Sequence, residues 1–399
     1  MTGRVPNMPL DLSVRTENEK LTIAGERLLR AVSSPDCNFN AICALIPLCA
    51  KEELNRALVK AAENGHLAVV RELIPVADPR AGGSEALYAA AENGHLDAVI
   101  ELIPVSDPAA EESRALRRAA YYGHLGAVRA LVPVSQPKAR DSEALYWAAK
   151  NGHRDVVKEL IPVCDPTADK SRALRWAAFF CHLDAVQLLV SVSDPKAENS
   201  RALFWAAQNG SLGIVDQLVP VSDPKANRSE ALCVAAEYGH LDVVRRLIPV
   251  SDPAAAGSRA LHAAAYHGYL DVVRELLPVS DPRAESSRAL HAAAHNGYPD
   301  VVQELIPVSD TALVFQSELE RFARTVQERG VQEAEHASSF RIVNSLAPHA
   351  GDGALEQAVR DLPADALERV PHLVAWRAAK LLGEALPPAD GSPRRRCSL

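Results

Sequence analysis

An Ala-Leu pair followed three residues later by an Ala-Ala pair recurs nine times in this chain at one fixed interval. The Ala that opens each copy falls at Ala57, Ala86, Ala115, Ala144, Ala173, Ala202, Ala231, Ala260 and Ala289, so every step is 29 residues with no insertion or deletion. Nine copies in register cannot be chance. Self-similarity at such a period marks a stacked-repeat architecture, in which one unit is too small to bury its apolar face alone. Composition agrees. The chain has 399 residues, room for two or three ordinary domains, but its aromatic content of 5% is thin for one large compact core.

Each copy reads as two short helices. The first runs from the Ser of S-[RE]-A-L, through Leu and the Ala pair, to Gly. Ser84, Ser113 and Ser142 are placed as N-caps whose hydroxyl accepts from an orphan backbone N–H. The Leu and the two Ala form a narrow apolar stripe at helical spacing. Gly65, Gly94 and Gly123 stand where a helix end needs the left-handed conformation. The second helix begins at G-H-L-D. Asp97, Asp155, Asp184, Asp242, Asp271 and Asp300 fall in its first turn, against the positive end of the helix dipole. It stops before the Pro of I-P-V-S-D-P, at Pro75, Pro104 and Pro133 and in later copies, because Pro lacks the N–H and disfavours helix at the residue before it. A loop D-P-x-A-x-x-S leads to the next copy.

The segments AENGHLAVVRELIP and ALHAAAYHGYLDVVRELLP resemble the ankyrin repeat, and ALHAAA resembles that family's T-P-L-H-x-A-A stretch. The resemblance spans about residues 52–310 and implies an all-α helical-repeat solenoid that binds other proteins. Two departures stand out. The family unit has about 33 residues, and the T-P pair is replaced here by R-A or E-A. The projecting β-hairpin fingers of ankyrins are therefore expected to shrink to short loops, leaving the concave helical face as the main surface.

The expected organisation is a flexible N-terminus (1–20), a degenerate capping repeat (21–51), nine repeats (52–310), a C-terminal helical cap (311–386) and a flexible basic tail (387–399). Pro47, 28 residues before Pro75, carries the reading of the opening repeat. In the tail, Cys397 is third from the end and so fails the prenylation pattern, and Arg395-Arg396-Cys397-Ser398 resembles a basophilic kinase site. LPADALERV from Leu362 loosely resembles the start of an F-box, which implies an adaptor that recruits a ubiquitin ligase.

At about 100° per residue, the two residues before each Gly lie on or beside the concave face, a frequent contact position in ankyrins. In the third and fifth copies they are Tyr121-Tyr122 and Phe179-Phe180, unusual side chains for exposed sites. Just before the Ala pair, Trp147, Trp176 and Trp205 occupy one frame position in three successive copies, with Arg114, Arg118, Arg172, Arg175 and Arg201 nearby. Trp, Tyr and Arg dominate binding hot spots. The four ring residues of the pairs are read as contact surface; the Trp position is equally open to packing between neighbouring first helices. The fifth copy also breaks the pattern at Cys181, in place of Gly, and at Ser191, in place of Pro. Cys in a left-handed cap is strained by about 1 kcal/mol.

His66, His95, His124, His153, His182 and His240 hold the family's turn position and are expected to bond across the turn. His291 and His295, four apart, could hold a metal only if His262 joined them, and no Cys, Asp or Glu recurs with them. No metal and no cofactor are expected. No Gly-rich phosphate loop, G-x-S-x-G or H-E-x-x-H motif occurs, and Glu320, Asp361 and His372 show no informative spacing. Formal charge is −8, against a nucleic-acid binder, which needs a basic face. Seven scattered Cys read as reduced thiols in a cytoplasmic compartment. Charged residues or Pro interrupt every hydrophobic run short of a membrane span. Residues 1–20 lack the apolar core of a secretory leader. The expected protein is a monomeric, non-catalytic scaffold for a protein partner. Arg well above Lys, a polar N-terminus and a eukaryote-like repeat also suit an effector delivered into a host cell, and the alternative is an adaptor acting through its C-terminal region.

Overall fold

The structure, a computed structural model, describes residues 17–34, 38–334 and 337–382. Residues 1–16 and the basic tail from 387, with its Cys397 and Ser398, lie outside the described residues, as do residues 383–386 of the expected cap. Residues 17–20, expected to be flexible, already belong to the helix Glu17–Ser33. The chain divides into two compact units, one up to Ala197 and one from Glu198 onward. Among the described residues all regular structure is helical and no strand forms.

In the first unit, five first helices, Lys51–Glu63, Ala81–Glu92, Ala110–Tyr122, Ala139–Lys150 and Ala168–Phe179, pack side by side in sequence order. Their partners, Leu67–Leu73, Leu96–Leu102, Leu125–Leu131, Arg154–Leu160 and Leu183–Leu189, form a second row beneath. The frame Leu (Leu58, Leu87, Leu116, Leu145, Leu174) is at most 1% exposed, and the Ala pairs are equally buried. Burying one such Leu contributes about 1.5–3 kcal/mol. The small Ala side chains let adjacent first helices approach. Glu17–Ser33 and Phe39–Leu45 pack against the first copy as an opening pair, with Leu28, Val32 and Ile42 fully buried.

The second unit repeats the pattern. Ala226–Glu237, Ala255–His267 and Ala284–Asn296 stack in one row, above Leu212–Leu218, Leu241–Leu247, Leu270–Leu276 and Pro299–Leu305 in the other. A helix Thr311–Arg329 follows directly, N-capped by Asp310, whose carboxylate accepts from Leu313 N at 3.2 Å. Ser338–Leu346, Asp352–Asp361 and Pro371–Leu382 complete this region around Phe315, Phe322, Ile342 and Leu373.

The frame Ser is not an N-cap. In each copy from the second to the ninth it ends a run of three left-handed residues, such as Glu111, Glu112 and Ser113 (φ 47°, 57° and 61°). An N-cap needs extended backbone so that its side chain can turn onto its own helix. Held left-handed, Ser113 instead accepts from Gln136 N, in the loop that ends its own copy, at 2.7 Å. Ser84 and Asp107, Ser142 and Asp165, Ser229 and Asp252, and Ser287 and Asp310 are bonded the same way at 2.7–2.8 Å. These Ser are buried. Asn55 holds the position in the first copy and accepts from Asp78 N at 2.7 Å.

The turn histidine also differs from expectation. Its ring reaches back one copy rather than across its own turn: His95, His124 and His153 bond through Nε2 to the carbonyls of Glu63, Glu92 and Tyr121 at 2.9, 3.0 and 2.9 Å. A carbonyl can only accept, so Nε2 carries the proton. Each ring lies over the previous copy's left-handed Gly. A Cβ on Gly123 (φ 79°) would stand 2.5 Å from His153 Nδ1.

Candidate functional site

The solvent side of the first helices is where side chains are left free. In the first unit the structure gathers six of the singled-out residues into one aromatic cluster. Tyr121 meets Tyr122 at 4.7 Å between ring centroids and Trp147 at 5.0 Å. Trp176 meets Phe179 at 5.3 Å and Phe180 at 5.9 Å, and the two Phe rings stand edge to face at 4.9 Å. Tyr146 joins the halves, 4.7 Å from Trp147 and 6.3 Å from Trp176. Such pairs contribute about 0.5–1.5 kcal/mol beyond their burial.

The frame explains the convergence. Positions 29 residues apart share one height on adjacent helices, and Tyr121 with Trp147 and Tyr146 with Trp176 bridge neighbouring helices above the Ala pairs. Tyr122 and Phe180 remain 46% and 42% exposed. Tyr121, Trp147, Trp176 and Phe179 are half-buried, so each packs with one side and presents the other. The Trp position thus packs on one side and stays open to solvent on the other. In the second unit Trp205, also half-buried, lies 4.9 Å from Phe204 with Arg201 above it at 4.5 Å.

Two residues of the cluster escaped sequence reasoning. Tyr146 is only 4% exposed and acts as its keel. Lys150 is the second. Its ammonium lies 4.8 Å from the ring centre of Trp147, 5.4 Å from Trp176, 5.5 Å from Phe180 and 5.9 Å from Tyr146. The available signal was a lone Lys where neighbouring copies carry Tyr or Phe. Arg172 covers the Tyr146 ring at 3.7 Å, and Arg114 covers Tyr88 at 3.8 Å. Arg118 bonds Tyr88 Oη at 3.2 Å and Glu92 at 3.4 Å; burial works to lower its pKa, but Tyr88 and Glu92 together outweigh that and leave it raised.

Beside the cluster, a cleft of about 310 Å³ is lined by Arg114, Arg117, Arg118, Tyr121, Arg140 and Trp147 together with Glu111 and Glu143. Its charges are satisfied internally: Arg117 pairs with Glu143, Arg140 with Glu112, and Arg114 with Glu111. A larger cleft, about 580 Å³, lies over the first two copies and is acidic, with Glu63, Glu85 and Glu92. In the second unit an open cleft of about 500 Å³ carries His262, Tyr266, Arg259 and Arg288. Burial, with Arg288 adding to it, holds His262 below the usual histidine range. These clefts are broad and lack a nucleophile activated by a base.

Among the described residues no three His, Cys, Asp or Glu converge as metal ligands. His291 stacks on His295 at 6.2 Å, but its Nε2 is engaged by Glu318 Oε1 at 2.6 Å. Glu318 comes from the helix after the last copy, outside the repeat frame in which those histidines were read. No helix among the described residues is long and apolar enough to cross a membrane.

A family profile described as ankyrin repeats (3 copies) matches residues 28–112, 116–202, 203–286 and 232–315. No curated protein matches the chain.

Proposed function

Since this chain belongs to the ankyrin-repeat family, a class of protein-interaction modules, we propose that it is a non-catalytic scaffold. It captures a protein partner as a monomer, on the face of its first helices. The observation that carries this reading is the aromatic cluster of Tyr121, Tyr122, Trp147, Trp176, Phe179 and Phe180, a contiguous half-exposed patch of the residue types that anchor interfaces. Trp205, on the same face of its own unit, extends the proposed contact set. Free thiols at Cys43, Cys49, Cys164, Cys181 and Cys233 support a reducing, cytoplasmic setting. The excess of Arg over Lys and the eukaryote-like repeat support delivery into a host cell.

The adaptor alternative rests on the LPADALERV segment. There, Leu362, Ala366, Leu367 and Val370 are at most 6% exposed. They face the core of the C-terminal region, and this favours a packing role for the segment over recruitment.

The test is affinity capture from host lysate with wild type, with Phe179→Ala/Phe180→Ala, and with Arg71→Ala on the second-helix side as control. Proteins retained by wild type and by the control, and lost from the double variant while its circular dichroism is unchanged, support the reading. Equal recovery on all three baits refutes this surface.

A further inference from the structure

The same surface carries a charge pattern that narrows the partner's chemistry. The chain as a whole is acidic, at −8. The stretches 114–122, 143–151 and 172–180, the C-terminal parts of three adjacent first helices with, in the last two, the residue that follows, hold six cations (Arg114, Arg117, Arg118, Lys150, Arg172, Arg175) and one carboxylate, Glu143. The equivalent stretch one copy earlier, 85–93, holds Glu85 and Glu92 and no cation. The face thus changes sign at the aromatic cluster.

Carboxylates of the chain itself engage Arg114, Arg117, Arg118 and Arg172, through Glu111, Glu143, Glu92 and Asp169. Lys150 has no carboxylate partner among the described residues. Its ammonium instead stands among four ring faces, which hold it in place and strip part of its hydration. An ammonium positioned in this way, with donors still open to solvent, favours an incoming carboxylate over water. Phe180, itself exposed, offers apolar cover beside it.

Resting on the interaction reading above, we infer that this face binds an acidic peptide segment, with an Asp or Glu seated on Lys150 and flanking apolar side chains laid against Trp147, Trp176 and Phe180. A single-stranded nucleic acid is the other anionic chain that aromatic rings and cations suit. It is disfavoured because Glu92, Glu111, Glu112 and Glu143 border the patch and already neutralise its arginines.

The experiment is selection of a displayed random dodecapeptide library on the full chain, repeated on Lys150→Glu and on Phe179→Ala/Phe180→Ala, with an oligothymidylate titrated in parallel at about 150 mM salt. Wild type is expected to enrich Asp or Glu beside aromatic or aliphatic residues. A selected peptide should bind Lys150→Glu at least about tenfold more weakly, as for loss of a central anchor, and Lys150→Arg within about threefold of wild type. If peptides depend on Phe179 and Phe180 but are indifferent to Lys150→Glu, the acidic inference falls and the interaction surface stands. Peptides indifferent to both variants remove both. Failure to enrich any sequence, or oligothymidylate binding as tightly as the peptides, also overturns the inference.

Discussion

The contact between Gly123 and His153 yields a paired test of what holds consecutive copies together. Gly123 (φ 79°, ψ 22°) and Gly297 (φ 76°, ψ 43°) end first helices in the same left-handed conformation. An Ala at either site meets the same local penalty, about 1 kcal/mol. Around Gly297 nothing lies within 4 Å of the added Cβ, whereas at Gly123 that atom would stand 2.5 Å from Nδ1 and 2.7 Å from Cγ of His153. Ordinary contacts of this kind lie at about 3.5 Å, so the ring must move by about an ångström. It then loses its 2.9 Å bond to Tyr121 O, a loss of about 1 kcal/mol, together with about 1–2 kcal/mol of packing. Gly297→Ala should therefore cost about 1 kcal/mol and Gly123→Ala about 3–4 kcal/mol. Adding His153→Ala to Gly123→Ala should recover about 2 kcal/mol relative to additivity. Urea denaturation followed by circular dichroism gives the totals. Hydrogen exchange around residues 119–128 and 293–302 localises them, since repeat arrays open locally. Equal losses at the two glycines, or strict additivity in the double variant, would show that the histidine does not clamp the preceding copy.

Three further outcomes follow from the same geometry. Ser142→Ala should cost about 1–3 kcal/mol by orphaning the Asp165 N–H that Ser142 Oγ holds at 2.8 Å, read as a lower urea midpoint with faster exchange at Asp165; unchanged exchange there would remove the clamp. Burial pushes the Cys164 thiol up to about 12 and Cys233 up to about 11, so both stay protonated at about pH 8 while the exposed Cys181 alkylates first. Peptide mapping after iodoacetamide checks the order, and Cys164 and Cys233 should label only as pH climbs toward those values. Glu318→Gln should cost about 1–3 kcal/mol, because Glu318 is 2% exposed and serves both His291 Nε2 at 2.6 Å and Arg321 Nη1 at 3.1 Å; faster exchange confined to 311–346 is the expected readout, and an unaltered profile contradicts it.

The helices were legible because each boundary has a residue that causes it: Gly at the end of the first, Asp in the first turn of the second, Pro beyond it. The left-handed run before each first helix was not. Only Gly82, Gly83 and Gly257 announce it, while Glu111, Arg140 and Asp169 adopt it against their own preference. Stacking imposes that turn, so the role of Ser142 could not be read from its neighbours in sequence. The cluster divides similarly. Trp147, Trp176 and the two aromatic pairs stood out by type and frame. Lys150 did not, because two of its four ring neighbours, Trp176 and Phe180, come from the next helix and acquire meaning only once the helices lie side by side.

The side-chain ties from one copy to the backbone carbonyls of another run one way. Within each unit, the His ring and the Ser or Cys beside the loop aspartate donate to carbonyls of the copy before, as His95 does to Glu63 O and Ser106 to Pro79 O. Even the last Ser, Ser287, accepts at Oγ from the backbone N–H of Asp310, the residue that launches the C-terminal helices. An array wired like this has a direction. Each copy offers carbonyls that the donors of the following copy complete, so its backbone is fully paired only once the next copy has packed on it.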